Sequence, residues 1–267
     1  MLILYKVLLG PLLLLQARKA RSVAVRLPEA AGRRVGSVGA TSHSARALRV
    51  LFFGDSSAAG VGVEHQHDAM AAQAAAMLCE RIGMPVQWQL LARSGIDTRQ
   101  ALQLLDAQEL APADVLVAAL GVNDVTAQRA PRQFLDNYRA IVQRIAQRTD
   151  AKYAVINGLP PMHAFPALPQ PLRWYLGACA QRLDRTLQRW VDSDASLAYV
   201  SLQWGAAAQM SRDGYHPGAP QYRHWAQLVA ECTSELLARS SAPDSSESER
   251  ICVDTIELAS TCAAPSE

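Results

Sequence analysis

Short apolar runs alternate along the chain with longer stretches in which apolar residues recur every three or four positions. Residues 49–54 (RVLFFG) form a run that stops at a glycine, the pattern of a buried strand. Residues 70–82 are alanine-rich with helical spacing, and Gly83 and Pro85 behind them are stop signals. The pattern then repeats. A strand is expected at 86–91, a helix at 98–110 capped by Asp97, and the clearest buried strand at 114–120. Pro131 suits the first turn of a helix running to about residue 148. A strand at 153–156, a helix at 174–191, a weaker strand at 198–201 and a helix at 217–237 complete the series. Such alternation predicts a five-stranded parallel sheet covered on both faces, with any site beyond the carboxyl ends of the strands.

The two ends of the chain break this pattern. Residues 1–16 are mostly apolar, interrupted by Lys6 and the pair Gly10 and Pro11. A helix over them would be roughly 24 Å long, short of the ~30 Å hydrocarbon core of a bilayer. A cleaved signal peptide is the rival reading. Against it, no charged residues precede the apolar run and no clear A-x-A site follows it. Arg18, Lys19 and Arg21 come next, a basic flank suited to anionic headgroups and to the cytoplasmic side. Residues 1–21 are therefore expected to associate with a membrane surface from the cytoplasmic side; secretion or periplasmic export by a signal peptide is the alternative. Residues 28–47, rich in Gly, Ala, Ser and Arg, read as a linker, and the segment from Ser240 as a disordered acidic tail.

Composition sharpens this division. Half of the 267 residues are hydrophobic, enough for a sizeable core, and no repeat of 20–50 residues is present. The net charge of +2 argues against a nucleic-acid partner. It conceals a polarised chain: residues 1–50 carry nine Lys or Arg and one acid, Glu29, whereas residues 240–267 carry six acids and one Arg. The expected organisation is an apolar and basic segment with linker (1–47), a near-neutral globular unit (48–239) and the tail (240–267). The five cysteines have no C-x-x-C spacing, so no zinc site or disulfide framework is expected; Cys79 and Cys232 read as small buried hydrophobes, and a Cys252–Cys262 bridge has little support.

Four fragments fall at the expected carboxyl ends of strands: Gly54-Asp55-Ser56, Ser94-Gly95, Gly121-Val122-Asn123-Asp124 and Asp213-Gly214-Tyr215-His216. Each alone is a common turn, cap or surface loop. Together, in this order and at one end of a sheet, they point to nucleophilic catalysis. A serine hydroxyl needs a base during attack, and His216 is the candidate. Asp213, three residues earlier, can hold the other ring nitrogen. The backbone amides of Ser56 and Gly95 and the side-chain amide of Asn123 can serve a developing oxyanion. Asp124 reads as structural, tying loops together. His65 and His67 form an H-x-H pair with no third ligand, and no metal or other cofactor is expected.

This set resembles the SGNH, or GDSL-type, hydrolase superfamily. Ser56 matches its nucleophile, Gly95 and Asn123 its oxyanion residues, and Asp213 and His216 its Asp-x-x-His block; the likeness covers roughly residues 48–238. It implies a three-layer α/β/α sandwich around a flavodoxin-like five-stranded parallel sheet, and a serine esterase with a small-molecule ester substrate. Where the family often has Leu after Gly-Asp-Ser, this chain has Ser57. Residues 57–64, with Gly60 and Gly62, read as a mobile loop beside the nucleophile. Residues 159–172 hold five prolines; their Met162, Phe165 and Leu168 are expected to wall the acyl or alcohol pocket, the alternative being a connector packed on the core. The expected substrates are lipophilic esters or thioesters, as for a lysophospholipase. An O-acyltransferase or carbohydrate deacetylase on the same triad, and an inactive membrane-associated binding module, are the rival readings. Oligomeric state is left open.

Overall fold

The computed structural model describes residues 2–39, 46–203 and 207–241. A twisted sheet contains β1 (Val35–Val38), β2 (Leu48–Gly54), β3 (Val86–Ala92), β4 (Val115–Ala119), β5 (Tyr153–Asn157) and β6 (Leu197–Val200), in the order β1-β3-β2-β4-β5-β6. From β3 across to β6 the pairing is parallel, and the crossover from β2 to β3 turns back across the sheet as in doubly wound folds. Alternate residues of each strand serve opposite faces. Leu51 and Phe53 of β2 join one core, with α3 (Thr98–Asp106), α5 (Pro131–Thr149) and α6 (Leu172–Val191). Val50 and Phe52 join the other, with α2 (Met70–Ile82) and α7 (Ala219–Ser241). The result is the three-layer sandwich expected from the alternation of strands and helices.

The helices form where the sequence signals them. Asp97 accepts the Gln100 amide while the Gln100 side chain accepts the Asp97 amide, a reciprocal cap that starts α3. Gly83 closes α2 in the left-handed region, and Pro131 opens α5. The buried face of α5, with Phe134, Tyr138, Ile141 and Ile145 fully enclosed, contributes about 1.5–3 kcal/mol for each large apolar side chain removed from water.

Several expectations need correction. The segment read as a linker adds a sixth strand: β1 pairs antiparallel along the open edge of β3. Its four residues carry no long apolar run, because an edge strand needs only backbone hydrogen bonds on one side. The apolar N-terminal run continues as one helix, α1 (Leu2–Val23), with Pro11 inside it, and packs on α6. No helix among the described residues is long and apolar enough to cross a membrane. α3 stops at Asp106, short of 110, and Arg148 covers its end, donating to the Leu105 and Gln108 carbonyls at 2.5 Å. The stretch expected to be mobile is pinned. Ala59 and Val61 donate back to Asp55 and Ser56, and the single hydroxyl hydrogen of Tyr222 is shared between the carbonyls of Ser57 (2.9 Å) and Val61 (2.7 Å). Cys79 and Cys232 are half-buried rather than enclosed. The acidic tail beyond 241, with Cys252 and Cys262, lies outside the described residues.

Candidate active site

The carboxyl ends of the central strands bring the four fragments together. β2 ends at Gly54, and this close approach requires glycine: an added Cβ would lie 2.5 Å from both the Ala119 carbonyl oxygen and Ala58 Cβ. The chain turns at once, placing Ser56 above the sheet. β3 runs into Ser94 and Gly95; β4 leads through Gly121 into the short helix α4 (Val122–Thr126), which carries Asn123; the chain beyond β6 delivers residues 213–216.

Ser56 Oγ lies 2.8 Å from His216 Nε2, and His216 Nδ1 lies 2.6 Å from Asp213 Oδ2. The Asp213 side chain is 2 % exposed and the His216 ring 23 %, so the imidazole reaches the cavity while its carboxylate partner does not. Asp213 Oδ1 accepts from Ser211 Oγ and from the amides of Tyr215 and His216. Burial works to raise this carboxyl, but the bonds from His216, the two amides and Ser211 outweigh it and hold Asp213 well below the usual carboxylate range. A fixed anion facing Nδ1 favours the tautomer with its proton there, leaving Nε2 free to accept from the Ser56 hydroxyl.

The neighbouring Ser57 is engaged differently. Its amide donates to Asp55 Oδ1 at 3.1 Å and its carbonyl accepts from Tyr222. Asp55 is buried, and that burial pushes it up to about 6. The geometry thus puts Ser56 rather than Ser57 against the imidazole.

Gly95 has φ +80°, the left-handed region that favours glycine, and nothing stands within 4 Å of where a Cβ would project. Asn123 Nδ2 donates one hydrogen to the Ile96 carbonyl at 2.9 Å, which leaves its second amide hydrogen. Behind Asn123, Asp124 accepts from the Thr98 amide (3.0 Å) and hydroxyl (2.6 Å) and faces Arg129 Nε at 3.5 Å. Asp124 therefore ties the start of α3 to α4, and its burial pushes it up to about 6.

Ser56, Gly95, Asn123 and His216 open on one cavity of about 490 Å³ whose walls are mainly apolar. Met162, Phe165 and Leu168 line it, each at least nine-tenths buried and also packed into the core beside α6, so wall and connector are one structure here. The proline-rich loop also meets the histidine loop: the Phe165 and Tyr215 rings meet edge to face at 6.5 Å. Two further groups at the site were not singled out from sequence. Trp225 on α7 lines the cavity and donates to Asn157 at 2.6 Å. Residues 24–27, just after α1, form another part of the wall, and Glu29 binds the Ser94 amide. The signal for Glu29 was its solitude, as the one acid among the first fifty residues. His65 and His67 stack at 5.3 Å, and among the described residues no group of three or more His, Cys, Asp or Glu is gathered as for a metal ion.

The profile of the GDSL-like Lipase/Acylhydrolase family matches residues 52–224, which include all four fragments. The chain belongs to that family. A curated GDSL-type relative is the GDSL-like esterase Rv1075c of Mycobacterium tuberculosis, 26% identical over 191 residues; the match takes in 68% of this chain and 60% of the relative. The chain thus spans about three fifths of the length of the curated relative it matches. Among solved GDSL-like folds, TesA covers 70% of this chain and 99% of its own at TM-score 0.54 and 21% identity. Est24, a carbohydrate acetylesterase from Sinorhizobium meliloti, covers 71% and 99% at TM-score 0.53 and 17% identity. Both likenesses speak to the fold.

Proposed function

We propose that this family member is a serine-dependent carboxylic-ester hydrolase working through an acyl-enzyme on Ser56. The observation that carries the reading is the continuous hydrogen-bonded chain from Ser56 through His216 to Asp213, opening on an apolar cavity. In the first step Ser56 Oγ attacks the ester carbonyl and His216 Nε2 takes its proton. The oxyanion forms among the amides of Ser56 and Gly95 and the free amide hydrogen of Asn123. The intermediate collapses, the alcohol leaves with the proton from His216, and the acyl group stays on Ser56. Water activated by the same imidazole then releases the acid. Asp213 keeps the ring oriented and stabilises the imidazolium in both halves. These steps use only the chain's own residues and water.

The apolar lining favours lipophilic acyl or alcohol groups, thioesters included, with Met162, Phe165 and Leu168 setting their length. α1 supports a lipid-surface partner. Its inner positions Leu13 and Ala20 are buried, while Leu4, Val7, Leu8, Leu14 and Leu15 face outward and Arg18, Lys19 and Arg21 follow on the exposed side. An apolar face continued by cations suits an anionic lipid surface. Since residues 24–27 pass from α1 into the cavity wall, such docking would bring the cavity close to its substrates.

A panel of p-nitrophenyl and thioester substrates of graded chain length tests this reading. Wild type is expected to prefer medium or long acyl chains, Ser56→Ala to lose about 10³-fold or more in kcat/KM, and Phe165→Ala to move the optimum toward longer chains. Equal activity in Ser56→Ala contradicts the mechanism. An unchanged chain-length profile in Phe165→Ala assigns the proline-rich loop to the core alone.

A further inference from the structure

We propose that Glu29 is a positioning residue of this site, holding the turn of Ser94 and Gly95 so that the Gly95 amide faces the oxyanion. The inference rests on the acyl-enzyme reading above. Glu29 Oε1 accepts the Ser94 amide at 2.6 Å, and Oε2 pairs with Arg34 Nη2 at 2.5 Å. Arg34 Nη1 in turn donates to the Ala92 carbonyl, the last residue of β3, at 2.7 Å. The Arg93–Ser94 peptide, one before the peptide that carries the Gly95 amide, is thus fixed to the end of its own strand through a side-chain clamp. On the other side, Asn123 Nδ2 holds the Ile96 carbonyl. Gly95 lies between the two ties, with a backbone conformation that glycine adopts at little cost and no side chain to wedge it in place. An unclamped glycine turn would sample other orientations of its amide, and an oxyanion donor acts only when aimed beforehand.

The same strap holds the nucleophile's turn. The Ala30 amide donates to the Ala59 carbonyl (3.2 Å) and the Ala31 amide to the Glu64 carbonyl (2.8 Å). Gln66 Nε2 donates to both the Ala30 and Ala59 carbonyls. Residues 29–34 therefore fasten the turn that carries Ser56 and the turn that carries Gly95 to one segment. The Glu29 and Arg34 side chains are 29 % and 34 % exposed. Water partly screens the pair, so its contribution to stability is discounted, and the thermal midpoint separates that contribution from the effect on orientation.

Glu29→Ala and Glu29→Ser both remove the reach to the Ser94 amide, and Glu29→Gln keeps an acceptor there. Each full-length variant is compared with wild type for kcat, KM, thermal midpoint and affinity for an alkylboronic acid, which forms a tetrahedral adduct on a serine oxygen. The two truncations are expected to lower kcat and boronate affinity in parallel by about tenfold, with KM within about twofold, and Glu29→Gln to stay within about threefold of wild type. Unchanged kcat in a folded truncation overturns the proposal. So does a kcat loss that boronate affinity does not follow or that Gln does not rescue. If wild type itself neither hydrolyses esters nor binds boronate, the acyl-enzyme reading fails and takes this inference with it.

Discussion

At the scale of single residues, the decisive contrast lies between two carboxylates near one imidazole. Asp213 receives four hydrogen bonds, the His216 ring among them, and is held well below the usual carboxylate range; Asp55, with a backbone amide as its neighbour, is pushed up to about 6 by burial. The first is therefore an anion throughout the neutral range and the one able to orient His216. Asp213→Asn keeps the shape but offers an amide in place of the charge. It should lower kcat by about two to four orders of magnitude while KM changes little, as measured by steady-state kinetics on one ester. A loss under tenfold would mean that His216 does not depend on this carboxylate. The candidate residues were legible because four short fragments fall in order near the expected carboxyl end of the sheet, in a set that resembles a known family. Trp225 was not, and Glu29 stood out only as a lone acid without a role, since their roles arise from contacts 65 and 68 positions away that no local pattern encodes.

At the scale of elements, strands and helices with strong periodicity were readable to within a few residues, and weak ones were not. The central run of β4 shows both faces buried, so its sequence is apolar throughout. β1 is short, half-exposed and dependent on β3, and α4 is a five-residue helix at a turn, so neither offers a pattern to detect. Far from the site, at the amino ends of β2 and β4, Asp114 joins the two strands. It accepts from the Arg49 amide, Nε and Nη2 and from Arg46 Nη2. The Arg49 hydrogen bonds lower its carboxyl to about 2 from an ordinary 3.8, against the effect of burial. A depressed value stabilises the fold above the unfolded-state value, and the contribution disappears as pH falls from about 4 toward 2. Discounted for solvent screening it amounts to about 1 kcal/mol. Denaturant titration of Asp114→Asn should show that loss at pH 7 and almost none near pH 2, with kcat unaffected. An equal loss at both would assign the effect to packing.

At the scale of the whole molecule, the exposed apolar side of α1, with Arg18, Lys19 and Arg21 behind it, forms one apolar and cationic surface among the described residues. The chain should cosediment with vesicles rich in phosphatidylglycerol and much less with neutral phosphatidylcholine. Lys19→Gln together with Arg21→Gln should weaken that partition by about tenfold or more, at roughly 1 kcal/mol for each cation near an anionic surface. Equal binding to both vesicle types, or no effect of the double substitution, would remove the electrostatic argument.

All these scales meet in one oxygen atom 2.8 Å from one ring nitrogen. Its reactivity can be read directly by treating the full-length protein with a fluorophosphonate and locating the adduct by mass spectrometry. The adduct is expected on Ser56, absent from Ser56→Ala, much slower to form in His216→Ala, and unaffected by Ser57→Ala. No adduct on wild type, or one that persists when Ser56 is replaced, would contradict the account.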